Sequence, residues 1–336
     1  TWTCKSVWNN PPGLAYTHAD IHALEQNPLN GWVYCGSDGG FFVSFNFGDT
    51  WYDRSDGLAI TQNYRIAGYE PDVNLITNGT QDNGSNKWTG GSTMLHTLGA
   101  DGMDCMIAHN NSNVLYNSTQ NGGLRKSVDG GASWTGIAPA SGPWVTPYVM
   151  HATNANTIFA GCYDIYKSTD AGSSWSNLGY SGAGAMALGG SSNPNRVYAS
   201  SGSSLYMSND GGSTFTTYGL PLTITFIAVN PSNSNDVFVT FGGYNSTYKV
   251  YKSTTAGSSW TNITGNLPNI PVNCIAYENT GGSPNDALYI GTDVGCYYRD
   301  DVLGDWVPFM NGLPATMVFD LEINESSGVI TAGTYG

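Results

Sequence analysis

Short apolar runs alternate with turn residues along the whole chain, at a spacing that is typical of β-strands. In one stretch the runs 226–229, 237–239 and 250–252 are separated by Asn-Pro and Gly-Gly turns. Runs rich in Val, Ile, Tyr and Phe form strands, and Asn, Pro and Gly join them through tight turns. No run reaches the roughly 18 apolar residues of a membrane helix. The pattern therefore predicts an all-β chain that has no long helices and does not insert into a membrane.

A longer pattern, Ser-x-Asp-x-Gly-x-Ser/Thr-Trp, follows six of these runs, and we call it the box. Its copies begin at Ser44, Ser127, Ser168, Ser208, Ser253 and, in degenerate form, Arg299. Successive copies are 83, 41, 40, 45 and 46 residues apart, so one unit, which contains Tyr64 to Leu98, lacks a box. Four short antiparallel strands repeated at such a spacing are typical of the blades of a β-propeller.

The box is interpreted as a turn element of the third and fourth strands of a blade, without a catalytic role. Its Asp accepts hydrogen bonds from its own backbone amides, its Gly adopts a positive φ, and its aromatic residue packs between neighbouring sheets. Asn46 and Thr255 replace the Asp in two copies. These structural roles are predicted for Asn46, Asp129, Asp170, Asp210, Trp51, Trp134, Trp175, Phe215 and Trp260.

The number of blades follows from the spacing. The first strands are expected to begin near His18, Tyr64, Met103, Val145, Ala185, Ile224, Val272 and Thr316. Because Thr1-Trp2 resembles the end of a box, the N- and C-terminal strands are expected to close the ring, which would remove exposed sheet edges. The prediction is one eight-bladed propeller domain over residues 1–336. Seven blades with one end piece outside the ring is the alternative.

Composition limits the partners that the chain can have. Charged residues are 11% of the chain, and the net charge is -14 with only 11 Lys and Arg. Such a surface repels phosphate backbones, so we expect no nucleic-acid partner. The six cysteines form no C-x-x-C pair, and most lie in apolar runs, which predicts small buried core residues.

Polar residues that can carry chemistry concentrate at one end of the predicted blades. In a four-stranded meander, the start of the first strand and the turn between the second and third strands lie at the same end, opposite the boxes. Side chains at every second position of a strand also share a side. The candidate ligand or metal site on this channel face comprises His18, Asp20, His22, Asp38, Asp82, Asp101, Asp104 and Asp293.

Three hypotheses account for these residues, and the sequence leaves all three open. In the first, the Asp residues cap turns and the two His side chains hydrogen-bond across the channel. In the second, carboxylate and carbonyl oxygens bind a hard cation, for which calcium is the natural choice. In the third, two carboxylates act as acid and base on a glycosidic bond. The sequence indicates no other cofactor.

Aromatic residues in or beside the predicted loops favour a binding function. Flat rings with a polar edge suit contact with the faces of sugars. The candidate rings are Trp8, Tyr16, Trp144, Tyr148, Tyr163, Tyr180 and Tyr244.

With these motifs the chain resembles the sortilin-like Asp-box propellers, which include sortilin, family 74 xyloglucanases and many large secreted proteins of Bacteroidetes. The resemblance covers nearly the whole chain and rests on the boxes and on the segments 17–24 (THADIHAL), 36–40 (GSDGG), 79–84 (GTQDNG) and 331–336 (TAGTYG). It is strongest to Bacteroidetes proteins that are exported by the type nine pathway. It implies a secreted or cell-surface protein that belongs to a longer chain or a surface assembly.

The boxes by themselves indicate no function, because enzymes, receptors and assembly factors share them. We expect a binding or scaffold module for a glycan or another extracellular protein. The alternative is a glycoside hydrolase similar to the family 74 xyloglucanases, which the chain resembles at 291–295 (GTDVG). In those enzymes the active cleft lies between two propellers. An assembly factor similar to the photosystem propellers would fit the boxes but not the acidic charge.

Overall fold

The structure is a computed structural model, which describes residues 1–9, 12–182, 184–279 and 286–336. The chain divides into two compact units, residues 1–60 and 61–336. The single domain over 1–336 stays a prediction. In the described ranges the regular structure is β, apart from one 3-10 turn at Gln120–Gly122. No helix there has the length and apolar character needed to cross a membrane.

The first unit contains a small parallel sheet and a four-stranded antiparallel meander. Its strands are β1 (Ser6–Val7) and β2 (Ala15–Tyr16), which form the small sheet, and β3 (Ile21–Gln26), β4 (Val33–Ser37), β5 (Gly40–Ser44) and β6 (Tyr52–Asp53), which form the meander. In the turn between β4 and β5, a Cβ on Gly39 would lie 1.9 Å from Cγ of His18. The close packing of the imidazole against this turn therefore requires glycine.

The second unit contains seven sheets, six of which are four-stranded antiparallel meanders. The first three meanders are β7 (Asn63–Tyr69), β8 (Asp72–Thr80), β9 (Gly84–Thr89) and β10 (Leu95–Leu98); β11 (Gly102–Ile107), β12 (Leu115–Thr119), β13 (Gly123–Ser127) and β14 (Thr135–Gly136); and β15 (Tyr148–Met150), β16 (Ile158–Gly161), β17 (Asp164–Ser168) and β18 (Ser176–Ser181). The next three are β19 (Met186–Leu188), β20 (Val197–Ser201), β21 (Ser204–Ser208) and β22 (Thr216–Gly219); β23 (Ile224–Val229), β24 (Val237–Phe241), β25 (Val250–Ser253) and β26 (Thr261–Asn262); and β27 (Val272–Glu278), β28 (Ala287–Thr292), β29 (Gly295–Arg299) and β30 (Val307–Pro308). The seventh sheet is the pair β31 (Met317–Asn324) and β32 (Val329–Tyr335).

The sheets of the second unit are the blades of a β-propeller, as the sequence predicts. The first strands β7, β11, β15, β19, β23, β27 and β31 each pack against the next, and β31 packs against β7. All eight predicted first strands are present. Seven belong to the second unit, and the one predicted near His18, which is β3, belongs to the first unit.

The ring of the second unit closes with seven sheets. The two ends of this unit meet, because Gln62 bridges to Tyr335 and the N–H of Gly336 donates to the carbonyl of Thr61 at 3.2 Å. The structure differs here from the expected terminal blade. Gln62 bridges to the last residue of β32, while β1 pairs with β2 in the first unit.

Apolar side chains between neighbouring sheets form the core of the second unit. Leu205 of β21 and Val239 of β24, for example, are fully buried in one cluster between their two sheets. Burial of a side chain of this size stabilises the fold by roughly 1.5 to 3 kcal/mol. Five of the six cysteines are buried, as predicted, whereas Cys4 is exposed. Packing between blades therefore contributes to the stability of the second unit.

The boxes are turns between third and fourth strands. In the second copy, Oδ1 of Asp129 accepts the N–H of Ser133 at 2.9 Å and the hydroxyl of Ser127 at 2.7 Å. Asp170 and Asp210 make the same bonds. Each also accepts a second hydroxyl, from Ser174 or Thr214, and this bond contributes most to lowering the pKa of each Asp to about 2. In the divergent copies the amide oxygen of Asn46 and the hydroxyl of Thr255 accept the equivalent N–H groups.

The aromatic residues of several boxes reach back to the preceding sheet. Nε1–H of Trp134 donates to the carbonyl of Thr97 at 2.9 Å, and that of Trp175 to Ile137 at 2.8 Å. Phe215 packs on Tyr180 with ring centroids 4.7 Å apart. Trp260 and Trp51 do not show this contact. Nε1–H of Trp260 donates to the carbonyl of Gly257 within its own box, and Trp51 lies in the first unit.

Candidate functional site

A β-bulge recurs near the start of the first strands and turns side chains toward the channel of the second unit. The register shifts are at Tyr64 in β7, Met103–Asp104 in β11, Thr225 in β23, Asn273 in β27 and Phe319 in β31. A cavity of about 440 Å³ lies inside the channel. Side chains from four of the bulged strands line it, and those that carry a charge or a ring are Arg65, Asp104, Phe226, Asp320 and Glu322.

Asp104 links two neighbouring blades. Its two carboxylate oxygens accept the N–H of Cys105, in its own strand, at 2.8 Å and the N–H of Tyr148, in β15, at 2.7 Å. Burial raises its pKa to about 7, against the opposing effects of Arg65 and of these two hydrogen bonds. The loss of hydration therefore outweighs both hydrogen bonds in setting the protonation state.

Asp320 makes the same kind of link on the other side of β7. Its carboxylate accepts the N–H of Leu321 and the N–H of Ile66 in β7, both at 3.0 Å. Its pKa is raised, mainly by burial, although Arg65 opposes the shift. The pKa of Glu322, two residues further along β31, is raised well above its ordinary value by burial and by the charges of Asp320 and Asp104. Crowding of three carboxyl groups favours their protonated forms.

Arg65 supplies the positive charge of the channel. Its guanidinium donates to the carbonyls of Tyr64 at 2.7 Å and Phe319 at 3.2 Å, and it lies 5.4 Å from the centre of the Phe226 ring. These contacts hold the cation between β7 and β31, while its charge lowers the pKa of Asp104 and Asp320.

Sequence reasoning identified Asp104 but missed Arg65, Asp320 and Glu322. The available signal was the run 319–323 (FDLEI), in which acidic residues alternate with apolar ones in a first strand. Alternation places both carboxylates on the same side of the strand. That side faces the channel only because the ring of the second unit closes at β31.

The other predicted site residues of the second unit lie in or beside turns. Asp101 accepts the backbone N–H of Asp82 at 2.7 Å and the side-chain amide of Gln120 at 3.2 Å. Asp82 itself has a φ of 59°, which is a left-handed conformation. Asp293 accepts the side-chain amide of Asn273 at 3.1 Å. Asp101, Asp82 and Asp293 therefore lie outside the lining of the channel cavity.

The remaining four predicted residues belong to the first unit. Nε2 of His22 is 2.6 Å from Oδ1 of Asp38, and Asp38 donates its N–H to the carbonyl of Asp20 at 3.3 Å. Nδ1 of His18 is 3.2 Å from the carbonyl of Ala19. Asp20 has a φ of 54°, so this segment turns sharply before β3. Calcium binding by these oxygens stays a hypothesis.

Three aromatic side chains of the second unit are exposed at the end of the blades that the predicted site occupies. Trp144, in the loop before β15, is 48% exposed; Tyr163 and Tyr244, in turns between second and third strands, are 67% and 75% exposed. Nε1–H of Trp144 donates to the hydroxyl of Tyr64, beside Arg65, at 3.1 Å. We call these three residues the aromatic face.

Four other predicted rings do not belong to the aromatic face. Tyr148 is buried and donates its hydroxyl to Gly122 at 2.8 Å, and Tyr180 packs on Phe215. Trp8 and Tyr16 are exposed but lie in the first unit. Tyr148 and Tyr180 pack against their neighbours because they lie in the strands β15 and β18 and not in the predicted loops.

No family model and no curated protein matches the chain. Solved structures are similar in fold. An ancestral GH74 enzyme has a TM-score of 0.62 at 20% identity, over 71% of this chain and 36% of its own. The GH74 xyloglucanase of Xanthomonas campestris has a TM-score of 0.65 at 15% identity, over 82% of this chain and 51% of its own. YCF48 of Cyanidioschyzon merolae has a TM-score of 0.57 at 11% identity, over 78% and 89%.

These similarities show the β-propeller fold. The chain spans about a third and about half of the two GH74 enzymes. The fold relation to family 74 enzymes agrees with the resemblance that the sequence motifs suggested.

Proposed function

We propose that this protein is a non-hydrolytic binding module for a neutral polysaccharide, and that it works outside the cell or at its surface. The observation that carries the proposal is the aromatic face of Trp144, Tyr163 and Tyr244, exposed at one end of the second unit. All three rings belong to the end of the blades at which the turns between second and third strands lie. Rings of this kind offer an apolar face for a sugar and a polar edge for its hydroxyls.

The channel carboxylates support binding over hydrolysis. Both oxygens of Asp104 and both of Asp320 accept backbone N–H groups, so these acids join blades. A glycosidase needs one carboxyl group that is placed to donate a proton and another that can attack or activate water. Acids that are held by two backbone bonds each are better suited to a fixed scaffold than to that cycle.

The charge of the chain favours a neutral ligand. At a net charge of -14, an acidic polysaccharide would be repelled over the screening length, whereas a neutral one would not. One fold neighbour is named a GH74 xyloglucanase, and another is named an ancestral GH74 enzyme. Xyloglucan, which is neutral, is therefore the first polysaccharide to test.

The second candidate function is hydrolysis of a glycosidic bond in the channel. The observation that favours it is the pKa of Asp104, which is raised to about 7 and so falls in the range of a general acid. This function predicts the release of reducing ends from xyloglucan and its loss in the variant Asp104→Asn. Binding without release of reducing ends would contradict it.

Affinity electrophoresis and calorimetry with xyloglucan test the proposed function. We expect binding by the unaltered chain and a weakening of about tenfold when Tyr163 and Tyr244 are both changed to Ala, which is about 1.4 kcal/mol. The control is Val128→Ala, because Val128 is 65% exposed in a box turn at the other end of the blades. Equal binding by both variants would refute the aromatic face as the site. Equal affinity for polygalacturonate would refute the preference for neutral glycans.

A further inference from the structure

The loop between β24 and β25 is longer than the equivalent loops of the other four-stranded sheets in the second unit. It spans residues 242–249, whereas the other connections between second and third strands have two or three residues. A short connection is held by the hydrogen bonds of the two strands that it joins. A long loop has many more conformations to lose on folding. Contacts from side chains are therefore needed to hold this loop in one conformation.

Two members of the aromatic face lie in connections of very different length. Tyr163 belongs to a connection of two residues, 162–163, and its carbonyl accepts the N–H of Gly182 at 3.1 Å. Tyr244 belongs to the long loop and is 75% exposed. Gly243, just before it, has a φ of 75°, which is a left-handed conformation. The direction of the Tyr244 ring therefore depends on how the backbone of the loop is held.

Two asparagine side chains hold the second half of the loop. Oδ1 of Asn245 accepts the N–H of Thr247 at 2.9 Å and that of Tyr248 at 3.1 Å. Nδ2 of Asn262, in β26, donates to the carbonyl of Thr247 at 2.8 Å. These bonds fix residues 245–248, which follow the exposed ring.

Lys249 holds the first half of the loop. Its Nζ donates to the carbonyl of Gly243 at 2.6 Å, and in the described part of the chain this is the one hydrogen bond that a side chain makes to residues 242–244. The backbone of Lys249 is itself fixed, because its N–H donates to Oγ1 of Thr264 at 2.9 Å and its carbonyl accepts the N–H of Phe241 at 2.9 Å. The lysine therefore links the base of the loop to its exposed part.

The lysine side chain is costly to bury. Lys249 is fully buried, and none of the described acidic groups forms an ion pair with it. Burial lowers the pKa of Lys249, although the charge of Asp293 opposes the shift. A buried charge without a paired acid lowers the stability of a fold, and an apolar side chain of similar length avoids that cost. The bond to Gly243 is therefore what the lysine contributes and an apolar side chain would not.

We propose that Lys249 is a positioning residue of the aromatic face, whose ammonium group holds the loop so that the Tyr244 ring is in its binding orientation before the glycan arrives. The inference rests on the proposed function. A ring that is already held loses less conformational freedom on binding than a ring on a mobile loop, and the difference appears as affinity. Loss of the bond should therefore weaken binding without a loss of stability.

Calorimetry with xyloglucan on Lys249→Met, Tyr244→Ala and the double variant tests the positioning role. Each single substitution should weaken binding by about threefold, the scale of ordering one side chain. Because Lys249 acts through Tyr244, adding the first substitution to the second should change the affinity no further. The matched control is Lys167→Met, because Nζ of Lys167 donates to the carbonyl of Gly211 at 2.8 Å at the other end of the blades. This control should bind as the unaltered chain does.

Two measurements without ligand complete the test. The melting temperature of Lys249→Met should equal or exceed that of the unaltered chain, since a buried charge is removed. The NMR order parameters of the backbone N–H groups of Gly243 and Tyr244 should be about 0.85 in the unaltered chain and should fall below about 0.6 in the variant.

Three outcomes would overturn the positioning role of Lys249. They are unchanged order parameters in Lys249→Met, a further loss of affinity when this substitution is added to Tyr244→Ala, and a melting temperature that falls together with the affinity. Absence of xyloglucan binding by the unaltered chain would instead refute the proposed function. The order parameters would still decide whether Lys249 holds the loop, so the two failures are distinguishable.

Discussion

The stability of the second unit should depend on the protonation of Asp104. The substitution Asp104→Asn should therefore lower the free energy of unfolding at low pH and raise it at high pH. The pKa of this carboxyl is about 7 in the folded chain and 3.8 in its ordinary state. Each pKa unit corresponds to about 1.4 kcal/mol, so ionising Asp104 in the channel costs about 4 kcal/mol. Because the pKa of Asp104 is higher in the folded chain than in its ordinary state, the protonated carboxyl contributes stability to the fold. This contribution is fully present below about pH 4 and is lost as pH rises toward and through 7.

Asparagine removes the ionisation but also removes one acceptor. Its Oδ1 can accept one of the two N–H groups of Cys105 and Tyr148, whereas its Nδ2 cannot accept the other. A buried N–H without a partner costs roughly 1 to 3 kcal/mol. At pH 4 the variant should be less stable by that amount. At pH 8 it should be more stable by roughly 1 to 3 kcal/mol, the remainder of the ionisation cost.

Urea denaturation followed by tryptophan fluorescence at pH 4, 6 and 8 measures both effects in one series. Asp305→Asn, at an exposed position of the same unit, controls for the loss of one negative charge. A variant that is less stable than the unaltered chain by the same amount at all three pH values would refute the reasoning. That result would mean that the carboxyl remains ionised in the folded channel.

Two further predictions concern the blades. Asp170→Ala should lower the stability of its blade by about 1 to 2 kcal/mol, as for the loss of a capping side chain, because Ser174 loses its acceptor; thermal melting checks this, and an unchanged midpoint would contradict it. Gly79→Ala should lower the free energy of unfolding by about 3 kcal/mol through overpacking, because its Cβ would lie 2.0 Å from the carbonyl oxygen of Met103. Gly68→Ala is the matched control, since nothing lies within 4 Å of its Cβ. Similar losses of stability in the two variants would show that the close approach of Gly79 to Met103 does not limit the size of this side chain.

Much of the candidate site lay beyond the reach of sequence reasoning. Asp104 was predicted because it opens a first strand, and Asp101 because it lies near the same turn. Arg65 and Asp320 are about 255 positions apart in the chain and share the channel only through the closure of the ring. The recurring bulges also shift which side of each strand faces inward, and a pattern of alternation does not reveal them.

Local chemistry determined the blades. The box, the Asn and Gly turns and the repeated apolar runs act over a few residues, so the eight first strands and the positions of the box turns could be placed from the sequence. Long-range packing decided the rest. Ring closure at β31 and β7 and the burial that raises the pKa of Asp104 both depend on sheets that are distant in the chain. A residue's hydration and neighbours are set by those sheets, and hydration controls both its charge and its availability to a ligand.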